Sequence, residues 1–398
     1  MAGIAAVGHY LPRYKITAEA YALGTGGFSP SGFSEKSVPG YDEDEITMAV
    51  AAGERALAVR REEVSTLAFA SSSAISGVEV VRDALGLEHA RTREMVGDRT
   101  AGIKAVLDAI IRAESEQQTT LVVVSDAHRA TPFSPQADWP LGGAAVSLLI
   151  TPSGGLRRLR GIDYIAHGAR QEVILGPATV MERRIGTVDA ISAILSFFYT
   201  LRVAKVGELL DLEGLMTFEV GEHPPGNPDW DAELQSRVPV TYDQYIGMRR
   251  YKSTPPGTEY SQGAYVSMSA YLGETKARYR LVGEECAKCG RLHFPPRESC
   301  LACGTRVWKE RPLKRTGAVY AYTIISKGAA PSEFLEQQLA TGDYATAVVE
   351  LDDGLRITAM LADVEPASVK IGRRVRMVFR RLYAQEGVIR YGFKFAPG

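Results

Sequence analysis

The sequence predicts an α/β domain in the amino-terminal half of the chain and a small all-β domain at the carboxyl end. Up to about residue 150, short apolar runs alternate with a stretch of helical periodicity. From Thr316 onward, runs rich in valine, isoleucine, tyrosine and threonine are separated by turn signals. All the cysteines of the chain lie between these two regions, within residues 286–303. The pattern therefore predicts two domains of different class with a cysteine-rich segment between them.

Three apolar runs in the amino-terminal region are suited to buried strands: Leu67–Ala70, Leu121–Ser125 and Ala144–Ile150. Strands covered on both faces read as continuous apolar runs, so the first two fit a parallel sheet. Between them, the segment Ala101–Ala113 carries apolar side chains at helical spacing, namely Ile103, Val106, Leu107, Ile110 and Ile111. The order of strand, helix and strand predicts an α/β layer architecture.

The carboxyl-terminal region contains several short segments with the composition of strands: Gly317–Ile325, Tyr344–Leu351, Leu355–Leu361 and Val375–Arg380. Turn signals at residues 352–354 and 371–372 separate them. Five or so short strands fit a small closed barrel. Upstream, a proline- and glycine-containing run at residues 223–230 breaks all periodicity and predicts a domain boundary.

The bulk composition is that of an ordinary globular protein. The chain has 398 residues, of which 45% are hydrophobic and 23% charged, and its formal net charge is −1. This balance does not favour nucleic acid or an anionic membrane as a partner. No run is long enough to span a bilayer, and the first residues do not resemble a secretory signal. We therefore expect a cytoplasmic protein with no membrane partner.

The cysteines form two Cys-x-x-Cys pairs, each followed by glycine: Cys286, Cys289, Cys300 and Cys303. The two-residue spacing lets both thiolates of a pair reach one ion, and the following glycine tolerates the positive φ of a tight turn. Four thiolates complete a tetrahedral shell, which predicts a structural zinc site, with iron in a rubredoxin-like site as the alternative. His293 lies between the pairs and is interpreted as a loop residue, because the four sulfurs already fill the shell.

The carboxyl-terminal part resembles a known module, the acyl-CoA-associated OB-fold domain with a rubredoxin-like zinc ribbon. The resemblance covers about residues 240–398 and rests on Cys-x-x-Cys-Gly and on the segments Phe294–Arg297, Thr316–Tyr320, Tyr322–Thr323 and Val369–Gly372. In that family the module is a fused or separate partner of thiolase-superfamily proteins. The resemblance therefore implies a thiolase-type partner subunit, a hetero-oligomer and a coenzyme A (CoA) thioester as a ligand.

The amino-terminal part resembles a thiolase-fold domain of the 3-hydroxy-3-methylglutaryl-CoA synthase type. The motifs occur in the family's order: Gly3–Ile4, Tyr10–Tyr14, Tyr41–Asp44, Thr47–Val50, Phe69–Ser71, Ala101–Gly102, Ser125–Asp126, Gly142–Ala145, Ile185–Gly186 and Ala204–Gly207. The stretch between Gly154 and His167 is shorter than the family's, which implies a reduced second half. The two resemblances place the thiolase-like domain at residues 1–222, a linker and helical connector at 223–280, the zinc ribbon at 281–312 and the OB-fold barrel at 313–398.

The chain departs from the thiolase-type pattern at the positions that perform catalysis. Carried over by motif, the nucleophilic cysteine falls on Arg99, the general-base glutamate on Ser72 and the asparagine that orients the acyl group on Thr187. The family's histidine is retained as His167. An arginine stays protonated and cannot attack a thioester, so the covalent step that these enzymes need is not expected on this chain.

Several functions remain open from the sequence. The first is a non-acylating subunit of a thiolase-type complex, in which Arg99 is either a salt-bridged structural residue in the former cysteine pocket or a contact for a CoA phosphate or a substrate carboxylate. The second is a cysteine-independent aldolase or lyase acting on a CoA thioester, with His167 as acid or base and Tyr164 or Tyr322 as weaker candidates. Acyl-enzyme catalysis by another residue is a further possibility. The last is a nucleic-acid-binding OB barrel that uses the basic run at residues 373–381.

Overall fold

The computed structural model describes residues 2–27, 33–59, 64–73, 75–127, 129–130, 134–153, 156–159, 173–174, 178–212, 216–251, 271, 273–385 and 388–398. The chain divides into two units, Met1–Tyr251 and Lys252–Gly398. Among the helices in these ranges, none combines the length and the apolar character needed to cross a bilayer. His167 and Tyr164 lie outside the described residues.

The first unit contains strands and helices in alternation. Its strands are β1 (Gly3–Tyr10), β2 (Tyr14–Thr17), β3 (Glu35–Val38), β4 (Thr66–Ser71), β5 (Arg91–Val96), β6 (Thr120–Asp126), β7 (Ala144–Thr151), β8 (Leu156–Leu159), β9 (Val173–Ile174), β10 (Leu209–Leu212), β11 (Met216–Val220) and β12 (Val238–Pro239). Its helices are α1 (Ala18–Gly24), α2 (Glu45–Val59), α3 (Val78–Leu85), α4 (Ala101–Ser115), α5 (Pro135–Asp138), α6 (Ala178–Ile185), α7 (Ser192–Leu201), α8 (Trp230–Ser236) and α9 (Tyr242–Met248).

A nine-stranded sheet forms the centre of this unit, in the order β5-β4-β6-β7-β1-β8-β11-β10-β9. Strands β5, β4 and β6 are parallel, whereas β7 runs antiparallel to both β6 and β1. The predicted buried strands at residues 67–70, 121–125 and 144–150 are confirmed as parts of β4, β6 and β7, all of which are fully buried. A small second sheet has the order β12-β2-β3.

Two helices pack into the core of this sheet. Helix α4 coincides with the predicted helix, and its buried side chains share one apolar cluster with those of α7. Residues 194–201 of α7 are all buried, as expected for a helix covered on every side. Gly102 lets α4 approach the loop before α7, because a Cβ there would lie 2.1 Å from the carbonyl oxygen of Ala190.

Asp138, at the end of α5, is the centre of a buried ionic network. Its carboxylate accepts hydrogen bonds from Nε and Nη2 of Arg249 at 3.0 Å each and from the Tyr245 hydroxyl at 2.8 Å. Lys36 Nζ donates to the Asp138 carbonyl oxygen at 2.7 Å. Burial by itself would raise the pKa of Asp138, but Arg249 and Lys36 outweigh it and hold the pKa far below its ordinary value. The carboxylate is therefore ionised at neutral pH.

Residues 223–251, predicted as the start of a connector, pack inside the first unit instead. Trp230 and Leu234 of α8 belong to the main apolar cluster, and Tyr245 of α9 packs in a second one. Arg237, which follows α8, donates to the buried carboxylate of Glu35 at 2.7 Å. The polar composition of this segment conceals these long-range contacts. The rest of the predicted connector includes helix α10 (Thr275–Arg280), whereas residues 252–270 lie outside the described part of the chain.

The second unit contains two sheets. A three-stranded sheet has the order β14-β13-β15 and comprises β13 (Val282–Cys286), β14 (Leu292–His293) and β15 (Trp308–Pro312). A five-stranded sheet has the order β18-β17-β16-β19-β20 and comprises β16 (Thr316–Ile325), β17 (Tyr344–Leu351), β18 (Arg356–Met360), β19 (Arg374–Gln385) and β20 (Val388–Pro397). Helix α11 (Ser332–Thr341), which the sequence reading did not include, joins β16 to β17.

The five-stranded sheet curls into a barrel around its own apolar core. An isolated bridge between Leu361 and Phe395 connects the end of β18 to β20, the two outer strands of the sheet. The enclosed side chains include Val319, Val349 and Phe395, each at most 1% exposed. The prediction of a small barrel following an α/β domain is thereby confirmed.

We expect the substitution Asp138→Asn to destabilise the first unit, because it leaves Arg249 and Lys36 without their counter-charge. Removing one member of a buried ion pair costs about 3–5 kcal/mol, which corresponds to a fall of about 10 °C in the melting temperature of a unit of this size. Scanning calorimetry of the full chain measures this. Asp83→Asn, which removes the partly exposed ion pair with Arg82, is the control and should cost less than about 1 kcal/mol. Equal losses in the two variants would contradict the structural role of the buried network.

Candidate functional site

The four cysteines lie at two matching turns of the zinc-ribbon sheet: Cys286, Cys289, Cys300 and Cys303. In each turn the glycine after the second cysteine donates its N–H to the carbonyl oxygen of the first, at 2.9 Å in both cases. These glycines, Gly290 and Gly304, both adopt φ of 71°. The positive φ predicted from the sequence is therefore confirmed at both positions, and it turns the two sulfurs of each pair towards the same point.

The sulfur positions fit a single tetrahedral metal ion. Sγ of Cys286 is 3.5 Å from Sγ of Cys303, and Sγ of Cys289 is 3.6 Å from Sγ of Cys300. All four sulfurs lie within 4.8 Å of one another. Four sulfurs at about 2.3 Å from a zinc ion would be separated by about 3.8 Å, close to these values. Because the shell is complete, no coordination position remains for water or substrate, and the site is structural.

The environments of Cys286 and Cys300 favour the thiolate form that a metal requires, whereas the neighbouring sulfurs raise the pKa of Cys289 to about 11. Burial would raise the pKa of Cys300, but N–H groups of Ala302 and Cys303 and the side chain of His293 outweigh it, and the pKa falls to about 7. The pKa of Cys286 falls to about 6 for the same reason, through the backbone of Cys289 and Lys288. Half of the shell is therefore available as thiolate near neutral pH before any ion binds.

The sequence analysis interpreted His293 as a loop residue, and this interpretation is wrong. It lies in β14, is only 5% exposed, and places Nε2 3.4 Å from Sγ of Cys300. Its ring packs edge-on against Trp308 with centroids 5.1 Å apart. The sequence places His293 between the cysteine pairs, but only the pairing of β14 with β13 brings its ring to the sulfur.

In the first unit, Arg99 occupies the turn between β5 and α4, three residues before Gly102. Its side chain is 81% exposed, and Nε lies 3.3 Å from Oδ2 of Asp189. A charged guanidinium offers hydrogen-bond donors and no nucleophile. The position can therefore bind an anion but cannot carry an acyl group.

Ser72 and Thr187 contribute mainly to holding the strand ends together. Ser72 donates its N–H and its hydroxyl to Oδ1 of Asp126, at 2.8 and 2.9 Å. Oδ2 of Asp126 accepts the N–H of Ala190 at 2.7 Å, and the N–H of Thr187 bonds to the carbonyl oxygen of Pro140. Asp126 thus connects the end of β4 to the loop that carries Asp189, and through Asp189 to Arg99. The structure brings Ser72 and Arg99 into one network.

The remaining candidates do not join this network within the described residues. Tyr322 belongs to β16 of the second unit and is 41% exposed. In the basic run of β19, Arg374 pairs with Asp352 at 2.7 Å, and buried Arg380 pairs with Asp363 at 2.9 Å. These acidic partners reduce the positive field that a nucleic acid would need.

Glu45, at the start of α2, is a buried acid that sequence reasoning did not select. It belongs to a run of four acidic residues at positions 42–45, a composition typical of an exposed helix N-terminus, yet Glu45 is only 3% exposed. Burial, followed by the charges of Asp44 and Asp126, raises the pKa of Glu45 to about 7, although Ser73 donates a hydrogen bond to it. In the sequence, Glu45 is recognisable only as an acidic residue at the start of an apolar helix. Its burial depends on the packing of distant strands, which the sequence pattern does not show.

We expect Glu45 to make stability depend on pH. The carboxyl is protonated in the folded and unfolded chain below pH 4.5, whereas between pH 4.5 and about 7 only the unfolded chain loses the proton. Stability therefore falls as the pH rises through this window, by at most about 3 kcal/mol. Glu45→Gln should be more stable than the natural chain at pH 8 and no more stable at pH 4.5, as measured by denaturant titration. Glu116→Gln, on an exposed helix end, is the control, and a pH-independent effect of Glu45→Gln would contradict the assignment.

We expect one zinc ion per chain, measured by elemental analysis. Chelation should expose four reactive thiols and lower the unfolding temperature of the second unit, because a closed Cys₄ site contributes directly to folding. Cys300→Ser should lose the metal, whereas Ser299→Ala, at the neighbouring exposed position, should retain it. Rapid reaction of all four thiols before chelation would show that they do not hold an ion.

The second unit matches two protein-family descriptions. Residues 274–308 match "ChsH2, rubredoxin-like zinc ribbon domain", and residues 310–380 match "ChsH2, C-terminal OB-fold domain". These matches confirm the resemblance stated from the cysteine and barrel motifs. They also identify the four-sulfur site as a zinc site, in preference to the iron alternative.

Individual relatives agree with this result. A DUF35 domain-containing scaffold protein of Methanocaldococcus jannaschii is 40% identical over 125 residues, which is 31% of this chain and 84% of that protein. Benzoylsuccinyl-CoA thiolase subunit BbsA of Geobacter metallireducens is 38% identical over 81 residues, 20% of this chain and 49% of that protein.

The first unit is related to known structures by its fold. A 3-hydroxy-3-methylglutaryl-CoA synthase solved in complex with CoA has a TM-score of 0.51 at 13% identity, covering 67% of this chain and 94% of that protein. This likeness confirms the thiolase-like fold class. On the strength of the zinc ribbon and barrel, the chain belongs to the family of DUF35 domain-containing proteins.

Proposed function

We propose that the chain is a non-acylating, zinc-containing subunit of a thiolase-type complex that forms or cleaves C–C bonds in CoA thioesters. The proposal is motivated by Arg99, the position to which the resemblance assigns the thiolase-type nucleophile, because its exposed guanidinium cannot attack a thioester. All the thiols of the chain are in the zinc ribbon, so the thioester must be attacked by a partner. The zinc ion supplies structural stability and takes no part in the chemistry.

Arg99 has the properties of an anion contact. Its guanidinium is exposed, permanently charged and held in place from one side by Asp189. It immediately precedes the N-terminal end of the fifteen-residue helix α4, where unpaired N–H groups and the helix dipole favour negative charge. A CoA phosphate or a substrate carboxylate fits this environment. Arg99 would therefore help to position the thioester without reacting with it.

The edge of the large sheet offers a place for the partner. Strand β5 is hydrogen-bonded to β4 along one side, and among the described residues no strand pairs with its other side. Five of its six residues are half-buried. An open strand edge of this kind can extend a sheet into another polypeptide. The thiolase-fold resemblance implies dimerisation through the central sheets, which supports a thiolase-type partner at β5.

The names of the relatives support a role in an assembly. BbsA is named as a subunit of a thiolase, and the Methanocaldococcus jannaschii relative is named as a scaffold protein. The zinc ribbon and the barrel, which match the two family descriptions, lie in a unit with its own compact fold. A structural or thioester-positioning role for this part agrees with its closed metal shell.

A second candidate function is a cysteine-independent lyase acting on a CoA thioester, and Glu45 is the observation that favours it. A carboxyl group with a pKa of about 7 is suited to both accepting and donating a proton near neutral pH. The Ser73 hydroxyl next to it could carry that proton towards the position of Ser72. This function would require the isolated chain to turn over its substrate.

We expect no covalent acyl group on this chain when it is incubated with radiolabelled acyl-CoA, and labelling of the partner when a thiolase-type protein from the same operon is added. Native mass spectrometry should detect the complex of the two. A label on this chain alone would overturn the proposal, because no thiolate is available to accept it. Turnover by the isolated chain that Glu45→Gln abolishes would establish the lyase function instead.

We expect Arg99→Glu to raise the KM of the complex for acyl-CoA about threefold to tenfold with little change in kcat, because an exposed charged contact contributes modestly to binding. Arg183→Glu, which changes another exposed arginine of the first unit, is the matched control. An unchanged KM in the Arg99 variant would remove Arg99 from the binding site and leave the subunit proposal to the labelling experiment.

A further inference from the structure

The zinc site carries more negative charge than its ion can neutralise. Four thiolates around one divalent cation leave two negative charges on the sulfurs, and Cys286 and Cys300 are at most 3% exposed. Burying such charge is costly unless N–H groups donate to the sulfurs. The donors around each sulfur therefore determine how firmly the ion is held.

The backbone supplies one of these donors to each cysteine pair. The N–H of Cys289 donates to Sγ of Cys286 at 3.4 Å, and the N–H of Ala302 donates to Sγ of Cys300 at 3.4 Å. The donor is the third residue after Cys286 but the second residue after Cys300, so the two bonds are similar in length and not equivalent in position. Cys300 also has a contact with the side chain of His293.

That contact comes from His293. Its Nε2 lies 3.4 Å from Sγ of Cys300, the same distance as the backbone donor. A metal-bound thiolate sulfur has no proton, so it can only accept, and the contact requires a proton on Nε2 of the imidazole. In this tautomer the buried imidazole of His293 donates its Nε2–H to Sγ of Cys300.

The surrounding sheet fixes the orientation of the ring. His293 is paired with Glu284 of β13, and Cys286, two residues further along β13, is paired with Trp308 of β15. Residues directly opposite each other or two apart on a strand share one face of the sheet, so His293, Cys286 and Trp308 lie on the same side. The edge-on contact between the two rings, at an angle of 75°, prevents the imidazole from turning away.

We propose that His293 is a positioning residue of the zinc site, whose Nε2–H donates to the Cys300 thiolate and anchors that side of the metal shell. Nothing in the chemistry requires it as a ligand, because the four sulfurs complete the tetrahedron. Cys300 would receive both a backbone and an imidazole donor when the site holds zinc, whereas Cys289 is the exposed sulfur of the shell.

Three forms of the full chain test this: the natural protein, His293→Phe and His293→Gln. Phenylalanine keeps a ring against Trp308 and removes the donor, whereas the glutamine amide can still donate an N–H. We expect zinc to dissociate to a competing chelator about 10–100 times faster from His293→Phe, and the affinity to fall by a similar factor. The His293→Gln variant should recover most of this loss. His223→Phe, in the first unit, is the control and should behave as the natural chain.

Cobalt substitution gives a readout that a merely structural role would not change. Removing a hydrogen bond from a metal-bound sulfur raises the energy of its lone pairs, so the sulfur-to-cobalt charge-transfer bands of His293→Phe should move to longer wavelength. Those of His293→Gln should remain near the natural position. Unchanged bands in His293→Phe, or equal zinc loss in both variants, would overturn the proposal in favour of simple packing. X-ray absorption showing a nitrogen ligand in the natural zinc protein would overturn it in favour of coordination.

Discussion

The distribution of sulfur constrains both units of this protein. A thiolate is the group that a thiolase-type enzyme uses to accept an acyl chain, and it is also the preferred ligand of a structural zinc ion. This chain places every thiol it has in the zinc ribbon. The second unit therefore gains a closed metal shell, and the first unit retains a thiolase-like fold with a permanent cation at the turn before α4. Within the sequence, no cysteine lies in the first unit.

The first unit shows how differently buried carboxylates can be used. Asp138 and Glu35 each face cations, and their pKa values are lowered as a result. The ion pairs of these two carboxylates connect β3 and α5 to the segments that follow α8 and α9. Among the described residues Asp126 forms no ion pair, but it accepts four hydrogen bonds at the ends of two strands and the loop beside them. Glu45 is the exception, because burial, together with the charges of Asp44 and Asp126, raises its pKa. A buried group that weakens the fold near neutral pH is more typical of a functional site than of a structural one.

The two units are related to other proteins by different kinds of similarity. The zinc ribbon and barrel share up to 40% of their residues with relatives, and their cysteine, glycine and turn positions are dictated by geometry. The thiolase-like unit shares 13% with a protein of the same fold. A fold can persist at that level because an apolar pattern suffices to specify layers of helix and sheet. The likeness of fold does not extend to the site motifs, because the positions to which the resemblance assigns the nucleophile and the base hold Arg99 and Ser72.

The sequence by itself determined the features that depend on neighbours along the chain. The apolar runs of β4, β6 and β7, the periodicity of α4 and the spacing of the cysteine pairs each result from local geometry, and each was predicted with small errors at the ends. Helix α11 and the packing of residues 223–251 were not predicted, since short polar helices carry little periodicity. Only the tertiary structure decided that His293 reaches Cys300, that Glu45 is buried and that Ser72 joins Asp126. These contacts link residues of different strands, helices and loops, and their energies depend on burial and distance, which a one-dimensional pattern does not contain.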